Sequence, residues 1–198
     1  MELEPAEAPR GRRPRGRSRA EKSAETRERI LDVAELEFSK HGFEGVTLRA
    51  VARLAKVDTA LLHYYFDSKR GLFDAVFLRR AEVLNQDRME ALDRYEAEAG
   101  GAVTGGGAGA AFPLPVLDRC ANAGPRWRAY FALIGVVNNT PVWGGETMTR
   151  YFDPVIHRLI SVVKKALPKA REEDLFWSYH MLSGSLTLTL AETGRIDT

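Results

Sequence analysis

Apolar side chains recur at intervals of three and four residues along most of this 198-residue chain, and no segment shows the alternation of a β-strand. That spacing places apolar residues on one face of an α-helix. The fold is therefore predicted to be all-α. Two intervals lack the pattern: residues 1–22 are rich in Arg, Gly and Pro, and residues 100–111 contain six glycines. We expect a disordered basic arm and a flexible loop there.

Two short helices, each with its own N-terminal cap, are predicted between residues 47 and 66. Thr47 and Asp58 each precede an apolar helical pattern, and both residue types are favoured caps. Two capped helices joined by a turn form a helix-turn-helix unit. A longer helix from Ser23 or Ala24 to His41 precedes it, and another capped by Ser68 follows it to about Ala97. Further helices are predicted near 114–122, 125–138, 146–167 and 172–193.

These patterns divide the chain into three parts. Residues 1–22 form the arm, residues 23–80 an N-terminal three-helix domain with the helix-turn-helix, and residues 81–198 a C-terminal helical domain. Residues 10–29 carry nine basic and three acidic side chains, whereas residues 30–198 carry 20 and 21. A basic segment attached to a nearly neutral body indicates binding to a polyanion.

The segment from Val46 to Lys69 resembles the DNA-binding region of the TetR family of transcriptional regulators. It has a capped helix, a turn, an aromatic-rich helix, and Phe-x-Ser-Lys opening a long helix. The resemblance implies a homodimer with N-terminal DNA-binding heads and a C-terminal domain that dimerises and binds a small molecule. This sequence has Lys56 where the family often has Gly, and His63 where the family favours Tyr. A left-handed residue other than Gly costs about 1 kcal/mol.

The exposed side of the third helix is predicted to enter the major groove of an operator in double-stranded DNA. Leu62 and Phe66 should face the core instead. Residues on the third helix are expected to read bases, and residues around it to bind phosphates. The predicted contacts are Thr47, Arg49, Lys56, Thr59, Ala60, Leu61, His63, Tyr64, Tyr65 and Lys69.

The arm contains two Pro-Arg-Gly-Arg sequences that resemble the core of an AT-hook. Their arginines, Arg10, Arg12, Arg15 and Arg17, could bind a narrow A·T-rich minor groove, where the negative potential is strongest. The alternative is a basic tail that only keeps the protein soluble. Deletion of the arm distinguishes the two.

The C-terminal half contains many aromatic residues and a few polar ones in apolar surroundings. The stretches 153–168, 174–177 and 180–184 are similar to the C-terminal domain of fatty-acid-responsive TetR regulators of the PsrA type. This resemblance implies a small apolar or amphipathic effector, such as a fatty acyl compound. Most of these side chains could equally form a helical core, and the histidines could lie in the core or an interface. The predicted effector pocket consists of Trp127, Phe131, Asn138, Trp143, Phe152, His157, Trp177 and His180.

The sequence favours a homodimeric, cytoplasmic repressor that an effector releases from DNA. One alternative is a DNA-binding architectural protein without an effector, and a remote one is a small helical enzyme. No catalytic or phosphate-binding motif is visible, so we expect no enzymatic activity, no cofactor and no metal. Cys120 has no partner for a disulfide within the chain, and no apolar run is long enough to span a membrane.

Overall fold

The computed structural model describes residues 18–122, 124–140 and 144–190. Residues 1–17, with the arm arginines, and Trp143 lie outside the described residues. The described residues form nine α-helices and no strand, and the all-α prediction is confirmed. The helices are α1 (Arg19–Gly45), α2 (Leu48–Ala55), α3 (Thr59–Phe66), α4 (Lys69–Ala99), α5 (Gly105–Ala111), α6 (Leu114–Asn122), α7 (Pro125–Asn138), α8 (Gly144–Ala166) and α9 (Glu172–Leu190).

Helix α1 begins four residues earlier than the sequence pattern predicts. The Ser18 hydroxyl accepts a hydrogen bond from the Glu21 backbone N–H (3.1 Å), and the Glu21 carboxylate accepts one from the Ser18 N–H (2.7 Å). This reciprocal capping box satisfies two backbone donors that a helix start leaves open. Residues 19–22, predicted to belong to the arm, are therefore helical. Gly42, with φ of +66°, interrupts the helix where its end was predicted.

The N-terminal head packs α1 to α4 around one apolar core. Ile30, Ala34 and Phe38 of α1 are fully buried, as are Leu62 of α3 and Phe73 of α4. The rings of Phe38 and Phe73 meet edge to face, with their centroids 5.1 Å apart. This geometry is favourable for aromatic pairs. The core therefore fixes α3 against α1 and α4.

The start of α4 approaches the end of α3 so closely that it requires glycine. A Cβ built on Gly71 would lie 2.1 Å from the backbone oxygen of Phe66. Ser68 caps α4 by accepting a hydrogen bond from the Gly71 N–H at 3.0 Å. This close contact sets how the third helix is held on the head.

The glycine-rich segment is not the flexible loop that its composition predicts, because α5 lies within it. Thr104 caps this helix by accepting a hydrogen bond from the Gly107 N–H at 3.0 Å. A Cβ on Gly107 would lie 2.2 Å from the Tyr95 hydroxyl, so glycine permits a close approach to α4. Ala108 and Ala111 are buried on the same helix. Tertiary packing here overrides the poor helix propensity of glycine.

Helix α4 runs from the head into the C-terminal domain, and a charge cluster on it ties the two parts together. Glu35 of α1 is 1% exposed and accepts hydrogen bonds from Arg79 (2.7 Å) and Arg80 (2.8 Å). Arg126 of α7 forms an ion pair with Asp32 of α1 at 2.9 Å. Burial acts to lower the pKa of Arg79, but the surrounding carboxylates, chiefly Glu35, outweigh it and raise that pKa.

Replacing Glu35 should weaken the fold strongly. Glu35→Ala removes the shared carboxylate and leaves two largely buried guanidinium groups underpaired, which typically costs about 3 kcal/mol or more. Urea unfolding followed by circular dichroism measures the change in the free energy of unfolding. Glu28→Ala is the matched control because it removes an exposed partner of Arg79 and should cost less than about 1 kcal/mol. Equal losses in both variants would show that the buried carboxylate is not the centre of the cluster.

Candidate nucleic-acid interface and effector cavity

Local hydrogen bonds fix the two short helices of the head. The Thr47 hydroxyl accepts from the Ala50 N–H (3.2 Å), and the Asp58 carboxylate accepts from the Ala60 N–H (2.7 Å). Between them Lys56 has φ 55° and ψ 48°, the left-handed conformation that the resemblance implies at this position. These are the caps and turn of a helix-turn-helix.

Helix α3 presents one side to the core and the other to solvent. Leu62 is fully buried and Phe66 is 6% exposed, as predicted. His63 and Ala60 are exposed, and Tyr64 is 79% exposed. Among the other predicted contacts on this helix, Thr59 and Leu61 are partly buried. The outer face of α3 is thus free to approach a ligand as large as a DNA duplex.

A backbone hydrogen bond sets the chemistry that His63 offers. Its Nδ1 lies 2.9 Å from the backbone oxygen of Asp67. Because a carbonyl oxygen only accepts, Nδ1 carries the proton and donates it. In the neutral ring, Nε2 is then a hydrogen-bond acceptor, which suits the amino groups that adenine and cytosine show in the major groove.

Two other predicted contacts are engaged within the head. Tyr65 is partly buried, and its hydroxyl lies 2.7 Å from the Ser23 hydroxyl of α1. This ring therefore anchors α3 on α1, and its hydroxyl already has a partner within the head. The Lys69 ammonium lies 4.4 Å from the centroid of the Phe43 ring and 3.8 Å from a carboxylate oxygen of Glu44.

A groove runs between the starts of α2 and α3. Thr47, Arg49 and Thr59, all predicted contacts, line it together with Arg53. Sequence reasoning missed Arg53, although it stands four residues after Arg49 and so lies on the same helical face. Arg49, Arg53 and Lys56 are exposed. Asp58 also lines the groove, where its carboxylate caps α3. The groove thus combines two helix N-termini with an excess of cationic side chains, an arrangement that favours phosphate.

A second site is a narrow cavity of about 40 Å³ inside the C-terminal domain. Helices α4, α6, α7, α8 and α9 line it, together with Phe112 at the end of α5. The lining side chains are mainly apolar: Leu84, Arg88, Phe112, Val116, Phe131, Ile134, Asn138, Met148, Phe152, Tyr179, Ser183, Leu186, Thr187 and Leu190.

The cavity includes three of the predicted pocket residues, Phe131, Asn138 and Phe152. Four others lie elsewhere. Trp127 packs between the guanidinium groups of Arg80 and Arg119. His157 meets the Phe176 ring, and Trp177 meets His180 on the exposed side of α9. Whether the predicted pocket residues lie together depends on how the helices pack, and residue type alone does not determine this packing.

Arg88 is the charged residue among the cavity residues that sequence reasoning missed. It is 8% exposed, and its guanidinium carbon lies 4.4 Å from the centroid of the Phe112 ring. Burial lowers its pKa to about 10, so it stays protonated at neutral pH. The available indication was its position between Leu84 and Leu92, four residues from each, on the buried face of a helix.

Two family descriptions match this chain. "Bacterial regulatory proteins, tetR family" matches residues 30–76, and "Tetracyclin repressor-like, C-terminal domain" matches residues 110–198. The two ranges together span more than half of the chain and include the helix-turn-helix and every cavity-lining residue except Leu84 and Arg88. This chain belongs to the TetR family of transcriptional regulators.

Individual TetR-family proteins match over shorter stretches. The transcriptional repressor NicS of Pseudomonas putida is 41% identical over 58 residues, which cover 29% of this chain and 27% of NicS. The regulator UidR of Escherichia coli K12 is 33% identical over 70 residues, covering 35% of this chain and 32% of UidR. The chain thus spans about a quarter to a third of the length of these curated relatives.

The crystal structure of HlyIIR, a hemolysin II transcriptional regulator, shares the TetR fold. It covers 85% of this chain and 96% of its own, with a TM-score of 0.54 at 16% identity. At that identity the likeness concerns the fold alone. Membership of a family of transcriptional regulators contradicts the enzyme alternative. None of the helices in the described ranges could span a bilayer, and these ranges contain no group of three or more His, Cys, Asp or Glu side chains that could hold a metal ion.

Proposed function

We propose that this TetR-family protein is a sequence-specific DNA-binding repressor, which acts as a homodimer and leaves its operator when a small amphipathic effector binds. The observation that carries this proposal is the outer face of α3. His63 and Tyr64 are exposed there, while Leu62 and Phe66 hold the helix on the core. A short helix fixed in this way can place its side chains in a major groove.

Within this proposal, the contacts divide into base-reading and phosphate-binding groups. His63, Tyr64 and Ala60 are exposed on α3 and would face base edges. Arg49, Lys56 and the N-terminus of α2 at Thr47 would bind phosphates beside them. Arg53 joins this second group because it lines the same groove. Phosphate contacts set the register of the protein, and base contacts set its sequence preference.

The proposed dimer interface is the exposed face of α9. Trp177, Met181 and Leu188 are 56%, 69% and 55% exposed and recur at helical spacing along it. A Cβ built on Gly184, between them, would meet nothing within 4 Å, so a partner helix could approach closely there. An apolar stripe of this kind typically marks a protein–protein interface. Two copies joined through α8 and α9 would place their DNA-binding heads at a defined separation.

Helices α4 and α7 would couple effector binding to release from DNA, since both helices line the cavity and contact the head. Arg88 of α4 and Phe131 of α7 line the cavity. Arg79 of α4 and Arg126 of α7 pair with carboxylates of α1. A ligand that widens the cavity would move these helices relative to α1 and change the separation of the heads.

A fluorescence-polarisation titration tests the proposal. The probe is a labelled duplex selected from random sequences by the purified protein, and the control is the same duplex with its sequence shuffled. We expect the selected duplex to bind at least about 1,000-fold more tightly at physiological salt, the lower end of specific recognition. Equal affinity for both duplexes would overturn the proposal.

Removal of the arm should change the salt dependence of binding. Deletion of residues 1–17, which keeps the Ser18 cap of α1, removes Arg10, Arg12, Arg15 and Arg17 together with Arg13. If all four bind DNA, the slope of log affinity against log salt should become shallower by about 3–4. Titrations between 50 and 200 mM salt measure it. Replacing only these four arginines by serine is the matched control and should give the same change, whereas an unchanged slope would leave the arm without a role on DNA.

A further inference from the structure

We propose that the effector carries a carboxylate on an apolar body, and that Arg88 binds this carboxylate inside the C-terminal cavity. The inference rests on the proposed effector-released regulator and names the chemical class of its ligand.

Among the described residues, Arg88 is a buried cation without a counter-charge. It is 8% exposed, and no acidic side chain of the described residues forms an ion pair or hydrogen bond with it. Its Nε is buried without a hydrogen-bond partner. The Phe112 ring covers the guanidinium, with the carbon 4.4 Å from the ring centroid. The ring offers a weak electrostatic contact but accepts no strong hydrogen bond.

A second buried polar group lies in the electrostatic field of Arg88. The Tyr130 side chain is fully buried, and its hydroxyl has no hydrogen-bond partner. Burial raises the pKa of this hydroxyl, against the opposing effect of the Arg88 charge. A buried hydroxyl without a partner is unusual, since buried polar atoms nearly always have partners.

An unpaired guanidinium in an apolar region is costly for a protein to keep, and an anionic ligand removes that cost. Arginine offers donors in a planar fork that matches the two oxygens of a carboxylate. The remaining walls, including Leu84, Phe131 and Phe152, are apolar. A ligand that fits both features has one anionic end and an apolar remainder. A strongly polar anion would leave the apolar walls without a matching partner.

The cavity must widen to admit such a ligand. Its volume of about 40 Å³ is far below the roughly 300–1,000 Å³ of ordinary ligand pockets. On the outer side, the exposed Asn138 of α7 donates a hydrogen bond to the Thr187 hydroxyl of α9 at 2.9 Å. Separation of α7 from α9 at this bond would open the cavity toward solvent. Ligand entry would therefore displace α7, which contacts the head through Arg126.

Isothermal titration calorimetry on the full chain without DNA tests the proposal. The ligands are decanoate and indole-3-butyrate, each compared with its methyl ester, and decylamine, all below their aggregation concentrations. We expect at least one acid to bind one site per chain, at least about 10-fold more tightly than its ester, with no binding of the amine. The variant Arg88→Met should reduce the preference for acid over ester to about 2-fold or less, while Arg94→Met, an exposed arginine of the same helix, should leave it unchanged.

Three results would overturn the proposal: no binding of either acid, equal binding of acid and ester, or an acid preference that survives Arg88→Met. Repeating the titration in chloride-free sulfate buffer separates an organic acid from an inorganic ion. If an acid bound only in the absence of chloride, and no more tightly than chloride itself, the ligand of Arg88 would be a halide ion and not an organic acid. Operator binding is measured separately on the same preparations, so failure of DNA recognition and failure of carboxylate binding are distinguishable.

The thermal stability of the ligand-free protein gives a second readout. Since Arg88→Met replaces an unpaired buried charge by an apolar chain of similar length, the variant should melt about 2–4 °C higher than the wild type. Saturating acid should raise the melting temperature of the wild type and leave that of the variant unchanged. A fall in the melting temperature of the ligand-free variant would show that Arg88 already has a favourable partner in the fold, and would contradict the proposal.

Discussion

The double variant His63→Ala/Tyr64→Ala is expected to bind the selected operator about 100-fold more weakly than the wild type. Both side chains are exposed on the outer face of α3, and each good contact to a base is worth about 1–3 kcal/mol. A polarisation titration at fixed salt measures the loss. Affinity for the shuffled duplex should change far less, because sequence-independent binding depends mainly on phosphate contacts.

The control for this variant is Leu36→Ala, which truncates an exposed apolar side chain of α1 in the same head. It should leave operator affinity within about 2-fold of the wild type, because surface substitutions usually change energies by less than about 0.5 kcal/mol. Both proteins should melt within a few degrees of the wild type. If His63→Ala/Tyr64→Ala bound the operator as tightly as the control, α3 would not be the reading helix.

Charge placed on the exposed face of α9 should separate the dimer. Met181→Glu/Leu188→Glu would bury four carboxylates in a two-fold interface, and each uncompensated buried charge costs several kcal/mol. We expect the dimer dissociation constant to rise at least about 100-fold, as measured by sedimentation equilibrium. Operator affinity should fall with it, since a single head binds only one half-site.

Leu114→Glu/Leu117→Glu is the matched control for the dimer variant. It introduces the same charge at two exposed leucines of α6, away from α9. This protein should remain a dimer and bind the operator normally. If the protein stayed dimeric with charges on α9 but dissociated with charges on α6, the dimer interface would lie on α6, which would contradict the proposal.

The sequence predicted those elements whose determinants are local. Thr47, Asp58 and Ser68 cap helices within three residues of themselves, so their function is visible in the order of the residues. The helical spacing of apolar residues likewise assigned Leu62 to the core and His63 to the surface of α3. The left-handed turn at Lys56 was implied by the resemblance to a family that often has Gly at this position.

Features that depend on distant packing could not be predicted in the same way. The glycine-rich segment is helical because Tyr95, ten or more residues earlier, packs on it. The predicted pocket did not include Arg88, because residue type alone does not show which side chains meet in the folded protein. The cavity is formed where five helices and Phe112 meet. Trp127 was predicted in the pocket as an aromatic residue of the C-terminal half, yet it packs against two arginines.

The most direct test of the account is to select duplexes from a random library with the wild-type protein and to measure the mass of the resulting complex by sedimentation. We predict an inverted repeat, with half-sites centred one helical turn or a multiple of about 10–10.5 base pairs apart, bound by two chains per duplex. A unique, unrepeated sequence bound by a single chain, or a library without any enriched sequence, would contradict the proposal that paired copies of α3 read DNA.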